Sequence, residues 1–354
     1  MKTPVRQETA SKLFVLFLVF VLLGLSACSP VSFSANKADD DQKGASCAQG
    51  QDCDGDGEVD TFRSVSETLK TANISKLDII FVVDTSGSMD KERAALGQRL
   101  ISFIDGLPSD VDWQICLTTT DLAKENGRFI NFSNGAKVLN AQTSSVETVF
   151  QNSMNLPSGN GDERGVAALN AAVTRKDADC FRSGAAVASI VLSDEDERST
   201  GGWDEFKTHT QYRALEAIDL PSNLVKAIET SFGRKKVFTS QSIVIKSGDQ
   251  GCYDEQMKDS NVFFGRRYEE LSKLTGGVIG TVCAADYAQQ LGDFADRVTD
   301  SLSSVSLQCV PPEKPSVDIG SASSTVTWSG NKIFFSPALP AGSSVTVKYR
   351  CKTN

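Results

Sequence analysis

Between Leu77 and Val83 the chain reads LDIIFVV, apolar but for Asp78 and rich in β-branched residues. Such a run predicts a strand buried on both faces of a parallel sheet. VDWQICLTTTD, AVASIVLSDED, KKVFTSQSIVI and GGVIGTV predict further strands downstream. Stretches of helical period separate them. Leu96, Leu100, Phe103, Ile104 and Leu107 form one apolar stripe, with Lys91, Glu92, Arg93 and Arg99 expected on its solvent side. RGVAALNAAV and RRYEELSKLT predict two more helices, and Tyr287, Leu291, Phe294 and Val298 trace the apolar face of a last one. Strands alternating with helices imply right-handed βαβ crossovers, hence an α/β fold with a doubly wound, Rossmann-like, mostly parallel sheet.

After Cys309 the segment VPPEKP interrupts this pattern, and short strand-like runs follow: SVDIG, STVTW, KIFFS and SSVTVKY. Residues 310–354 therefore read as a small antiparallel β module. Its own core is marginal at that size, so a disulfide or packing on the main domain has to support it.

A net charge of −9 excludes a surface built for nucleic acid. Lys2, Arg6 and Lys12 precede an uncharged stretch, Leu13 to Leu25, that is short for a membrane span and reads as a signal peptide. Its end, LSAC, resembles the lipobox of bacterial lipoproteins. The resemblance implies cleavage after residue 27 and a lipid anchor on Cys28, and Ser29 resembles the sorting rule that favours the outer membrane. Residues 28–46, with Pro, Ser and the acids Asp39 to Asp41, then read as a flexible tether. The remaining cysteines, Cys47, Cys53, Cys116, Cys180, Cys252, Cys283, Cys309 and Cys351, are even in number, which in an exported chain implies a disulfide framework. Sequential pairing keeps each bridge within one structural unit and is the expected connectivity.

Chemistry concentrates where strands end. The first strand runs into DTSGS, a carboxylate and two hydroxyls at alternate positions, Asp84, Ser86 and Ser88. In open α/β sheets ligands gather at the carboxyl ends of strands. D-x-S-x-S resembles the opening of the metal-ion-dependent adhesion site of the von Willebrand factor A family, and the resemblance covers residues 74–305. Mg²⁺, or Mn²⁺, takes hard oxygen ligands, which these side chains offer. Asp194, ending another apolar strand, matches the family's metal-linked aspartate. The family's usual threonine is absent: SGNGDERGVAAL stands in its place and offers Asp162 or Glu163. The acids that follow, Glu195, Asp196 and Glu197, read as solvated surface.

DCDGDGEVD, within a Cys-bracketed segment 47–63, carries Asp52, Asp54 and Asp56 before Gly57, the first half of a Ca²⁺ loop, and Asp60 is a further candidate ligand. Arg63 at position twelve departs from an EF-hand, and the segment looks more like the short calcium repeats of thrombospondin-type linkers.

The chain's one histidine, His209, lies in the polar stretch DEFKTHTQY and reads as solvated, which disfavours histidine-based catalysis. No phosphate loop of the G-x-x-x-x-G-K type is present. The expected function is not enzymatic. The resemblance implies an adhesin on the outer membrane surface that grips a protein on a host or prey cell, the partner's Asp or Glu carboxylate completing the Mg²⁺ shell. Trp203, Phe206 and Tyr212, read as exposed in a long loop after Asp194, are expected to frame the metal. An envelope scaffold on the periplasmic face is the alternative, and a metal-dependent hydrolase is the reading from the enzyme class.

Overall fold

The computed structural model describes residues 60–71, 74–159 and 161–353. The signal, lipobox and tether, with Cys28, Cys47, Cys53, Asp52, Asp54 and Asp56, lie outside the described residues. Among the described residues no helix is long and apolar enough to cross a membrane.

In chain order the first elements are β1 (Phe62–Lys70), β2 (Lys76–Val83), α1 (Asp90–Gly97), α2 (Leu100–Ile104), β3 (Asp112–Thr119), β4 (Leu139–Asn140), α3 (Val146–Ser153), α4 (Gly165–Arg175) and β5 (Ala186–Leu192). Then come α5 (Pro221–Phe232), β6 (Phe238–Val244), α6 (Gln250–Gln256), α7 (Arg266–Thr275), β7 (Ile279–Thr281) and α8 (Ala288–Leu302). The chain ends in β8 (Val305–Ser306), β9 (Ser316–Asp318), β10 (Thr325–Ser329), β11 (Lys332–Ser336) and β12 (Ser344–Lys352).

A six-stranded sheet of order β4-β3-β2-β5-β6-β7 forms the centre, parallel except for the short edge strand β4. Alternation along β2 serves two cores. Leu77, Ile79, Phe81 and Val83 join Leu96, Leu100, Phe103, Phe150 and Phe294 on one face, while Ile80 and Val82 join Val166, Leu169, Leu224, Tyr268 and Leu271 on the other. The sheet is thus covered on both sides, as the continuous apolar runs require. Three disulfides, Cys116–Cys180, Cys252–Cys283 and Cys309–Cys351, follow the sequential pairing.

The β module draws on more of the chain than its last residues. β1 pairs antiparallel with β12 along its whole length, Phe62 opposite Lys352 and Lys70 opposite Ser344, and β8 pairs with β11. The module seats against the helices of the main domain through Phe334, which lies beneath Arg297 of α8 at 4.8 Å. Gly276 ends α7 with φ +70°, and a Cβ there would stand 2.3 Å from the Phe334 ring. Asp60, a candidate Ca²⁺ ligand in the sequence, is buried and pairs with Lys352 of β12 at 2.6 Å.

Two expectations are corrected. Arg93 and Glu92 are buried rather than solvated. The segment after Asp194 is not one long loop, because α5 occupies its second half, with Pro221 at the first turn and Leu224 and Ile228 facing the core.

Candidate metal centre

In the parallel ladder Val83 of β2 lies between Thr119 of β3 and Leu192 of β5. The chain leaves β2 for its neighbour β3 on one side, and the next parallel strand, β5, lands on the other. This is a topological switch point, where the connections part and leave a crevice for a ligand. Asp84 and Asp194 follow the two strands that flank it.

Asp84 is fully buried. Its N–H donates to the Leu192 carbonyl at 2.9 Å, its Oδ1 accepts from the Ser86 N–H at 2.7 Å, and its Oδ2 accepts from the Ser193 hydroxyl at 2.6 Å. The hydroxyls of Ser86 and Ser88 lie 3.0 Å apart and are half-buried. Glu163 enters from the loop before α4, pressed against the Asp84 carboxyl, and accepts from the Thr120 hydroxyl. Asp194 is buried and neither of its carboxylate oxygens has a hydrogen-bond partner; the Ser88 hydroxyl stands near enough to favour the charge without completing a bond. Asp162 is turned partly outward: its side chain is 30% exposed and its Oδ2 lies 3.3 Å from Arg198, while its charge still acts on Glu195. Of the two residues offered in place of the threonine, Glu163 is the one at the site.

Burial raises the pKa of Asp84, against the hydrogen bonds from Ser193 and Ser86. It pushes Glu163 and Asp194 well above the carboxylate range, and the Asp84 charge pushes both further. Glu195 is pushed up to about 8, chiefly by burial. Carboxyls forced together in a buried place are either partly protonated or neutralised by a cation. The donors suit a small hard cation: buried carboxylate oxygens without partners on Asp194, and carboxyl or hydroxyl oxygens on Asp84, Glu163, Ser86 and Ser88. No three His, Cys, Asp or Glu side chains among the described residues are already drawn into a ligand cluster. A cation here would need the hydroxyls as well as the acids.

Buried side chains that the pattern did not single out hold this crevice. Arg93 donates from Nη1 to the carbonyls of Asp84 at 3.1 Å and Ser86 at 3.0 Å, and from Nε to that of Met154 at 3.3 Å. Its place in the first half of a short helix carries no signal for this. The acids after Asp194 are buried, not solvated as expected. Glu197 accepts from the N–H groups of Val166 and Ala167 at 2.7 and 3.0 Å and so caps α4, satisfying orphan donors at the positive end of the helix. Asp196 accepts from the N–H groups of Arg267 and Glu197 and from the Trp203 indole. Gly159 donates to the Thr85 carbonyl at 2.9 Å, and a Cβ there would stand 2.3 Å from the Thr85 hydroxyl. This close approach brings the Glu163 loop down onto the DTSGS loop.

Trp203, Phe206 and Tyr212 are half-buried rather than exposed. Trp203 lies under Arg267 at 3.9 Å. His209 is exposed, edge-on to Phe206 and Phe263, and its Nδ1 accepts from the Gln211 N–H.

No protein-family model and no curated protein matches the sequence. Among solved structures, the chain is similar to a von Willebrand factor type A protein from Catenulispora acidiphila, with 14% identity, TM-score 0.39 and coverage of 83% of this chain and 61% of that one. It is similar to the pilus adhesin SpaC from Lactobacillus rhamnosus GG, with 12% identity, TM-score 0.35 and coverage of 82% and 41%. It is similar also to the human COPII-coat protein Sec24c, with 11% identity, TM-score 0.39 and coverage of 82% and 42%. The chain spans less than two thirds of the length of each.

Proposed function

We propose that this protein is a lipid-anchored adhesin of the bacterial outer membrane that binds a protein partner through a divalent cation, Mg²⁺ or Mn²⁺, held at the switch point. Asp84, Ser86, Ser88, Glu163 and Asp194 would hold the cation. When bound, it would supply an acidic coordination position for an Asp or Glu carboxylate of the partner. The observation that carries this reading is Asp194, buried beside two other acids with both oxygens unpartnered. A structural carboxylate in such a place would be hydrogen-bonded.

The chain's own groups support binding rather than turnover. Ser86 and Ser88 hydrogen-bond each other, and His209 packs on aromatic rings instead of activating either. A single carboxylate contact is weak, so the loops around the crevice must add area and specificity. Attachment of cells to candidate target cells, with Mg²⁺ and with EDTA, in wild type and Asp84→Ala, tests the reading. Cation-dependent attachment lost in the variant at equal surface levels is the expected result, and unchanged attachment would sink it. Protection of the intact protein from protease on whole cells would favour the periplasmic scaffold instead.

A further inference from the structure

At the opposite side of the fold from its acids the protein gathers positive charge. Lys332 opens β11 and is 5% exposed, its ammonium donating to the Phe238 carbonyl. Among the described residues it has no ion pair, and burial alone pulls its pKa down to about 7. A buried ammonium without a counter-charge costs several kcal/mol unless it loses its proton or finds an anion.

Beside it is a cavity of ≈ 20 Å³, room for one or two water-sized groups, whose lining includes Arg234, Lys236, Ser306 and Asn331. Lys236 is half-buried, with its own pKa lowered by burial, and Arg234 is exposed at the mouth. Glu229 is the one acid in the lining, and the Asp78 carboxylate acts on Lys236 from outside it. Arg234 and Lys236 follow the end of α5 and suit its negative pole. That explanation does not extend to Lys332, which comes from another element in the β module. In a chain of net charge −9, a seam where cations from two elements line one cavity is a local field opposed to that of the whole.

We propose that this cavity, between α5, β6 and β11, binds a small inorganic anion, a halide or the oxygen face of a phosphate, held by Lys332, Lys236 and Arg234. The anion supplies the counter-charge Lys332 lacks and fastens the β module to the main sheet. It binds the folded state alone, so it raises stability by RT ln(1 + [L]/Kd), logarithmically once the anion exceeds its Kd.

The test is thermal unfolding of the full chain at constant ionic strength, with chloride or phosphate replacing a bulky organic anion. The expected result is a Tm that rises with the logarithm of concentration above Kd for one of the two anions, abolished in Lys332→Met and with affinity reduced about two- to fivefold in Arg234→Met. If Lys332→Met does not fold, the double variant Arg234→Met, Lys236→Met carries the same comparison. A bromide soak of crystals is expected to give an anomalous peak beside Lys332 Nζ. A linear salt response equal in wild type and variants overturns the proposal. So does a bromide peak without a logarithmic, Lys332-dependent response in solution, which would mean an adventitious ion only.

Discussion

Replacing Arg93 by Met removes the donors that hold the DTSGS loop while keeping most of the buried stem. The side chain is 3% exposed, and its three carbonyl acceptors, Asp84, Ser86 and Met154, lie on two segments that meet at the crevice. The Asp90 pair adds little, since that carboxylate is 74% exposed. Hydrogen bonds to a charged donor contribute roughly 1.5–3 kcal/mol each, and a buried acceptor left unsatisfied costs about 1–3 kcal/mol. The Met154 contact is long, and removing a buried guanidinium also removes its desolvation cost. The net loss expected for Arg93→Met is therefore about 3 kcal/mol. Urea unfolding in EDTA, followed by circular dichroism, measures it, and Mn²⁺ titration of the folded variant reads the site. Mn²⁺ affinity is expected to fall at least about tenfold, equivalent to about 1.4 kcal/mol. A stability loss below about 1 kcal/mol with unchanged Mn²⁺ affinity would refute the reasoning: the loop would then stand on the β2–β5 contacts alone.

Other consequences are open to direct measurement. Glu197→Ala leaves the Val166 and Ala167 N–H groups without acceptors and is expected to cost about 2–4 kcal/mol; amide exchange at those two positions should accelerate, and unchanged protection would contradict the cap. Cys309 and Cys351 are separated by 42 residues, so replacing both by Ser should cost about 2–4 kcal/mol in non-reducing denaturation, and no loss would show that packing alone secures the module. In buffer free of small anions, Lys332 titrates near 7 in the folded protein against 10.5 ordinarily, so the unfolded chain binds the extra proton between those values. Unfolding free energy should therefore rise from pH 7 towards 10.5, at about 1.4 kcal/mol per pH unit and with a ceiling of about 5 kcal/mol. Lys332→Met should flatten the rise, and an identical profile in the variant would contradict the assignment.

The central sheet was legible because its strands are buried on both faces and announce themselves as apolar runs. Even β6, where Thr239, Ser240, Gln241 and Ser242 are all buried, stood out by its β-branched flanks. β1 did not. FRSVSETLK carries few apolar residues, and it is a strand only because β12, from the far end of the chain, pairs with it. The signal for α5, Pro221 followed by Leu224 and Ile228, was present and local. At the candidate site, Asp84, Ser86, Ser88 and Asp194 were visible as polar ends of apolar strands. The choice of Glu163 over Asp162 depends on where Arg198 sits, which no spacing reveals. Glu195, Asp196 and Glu197 read as surface because charge runs usually are. Here Asp196 and Glu197 serve buried backbone donors and an indole, partners that become adjacent only after α4 and α7 have packed.

The central claim is that the acids at the switch point hold a divalent cation through Asp194 as well as the DTSGS loop. Calorimetric titration of Mn²⁺ into wild type and Asp194→Asn tests it most directly. The account predicts one saturable site in wild type, weakened at least about a hundredfold, or about 2.7 kcal/mol, in a variant that keeps its fold. Absence of a site in wild type, or equal affinity in Asp194→Asn, would contradict it.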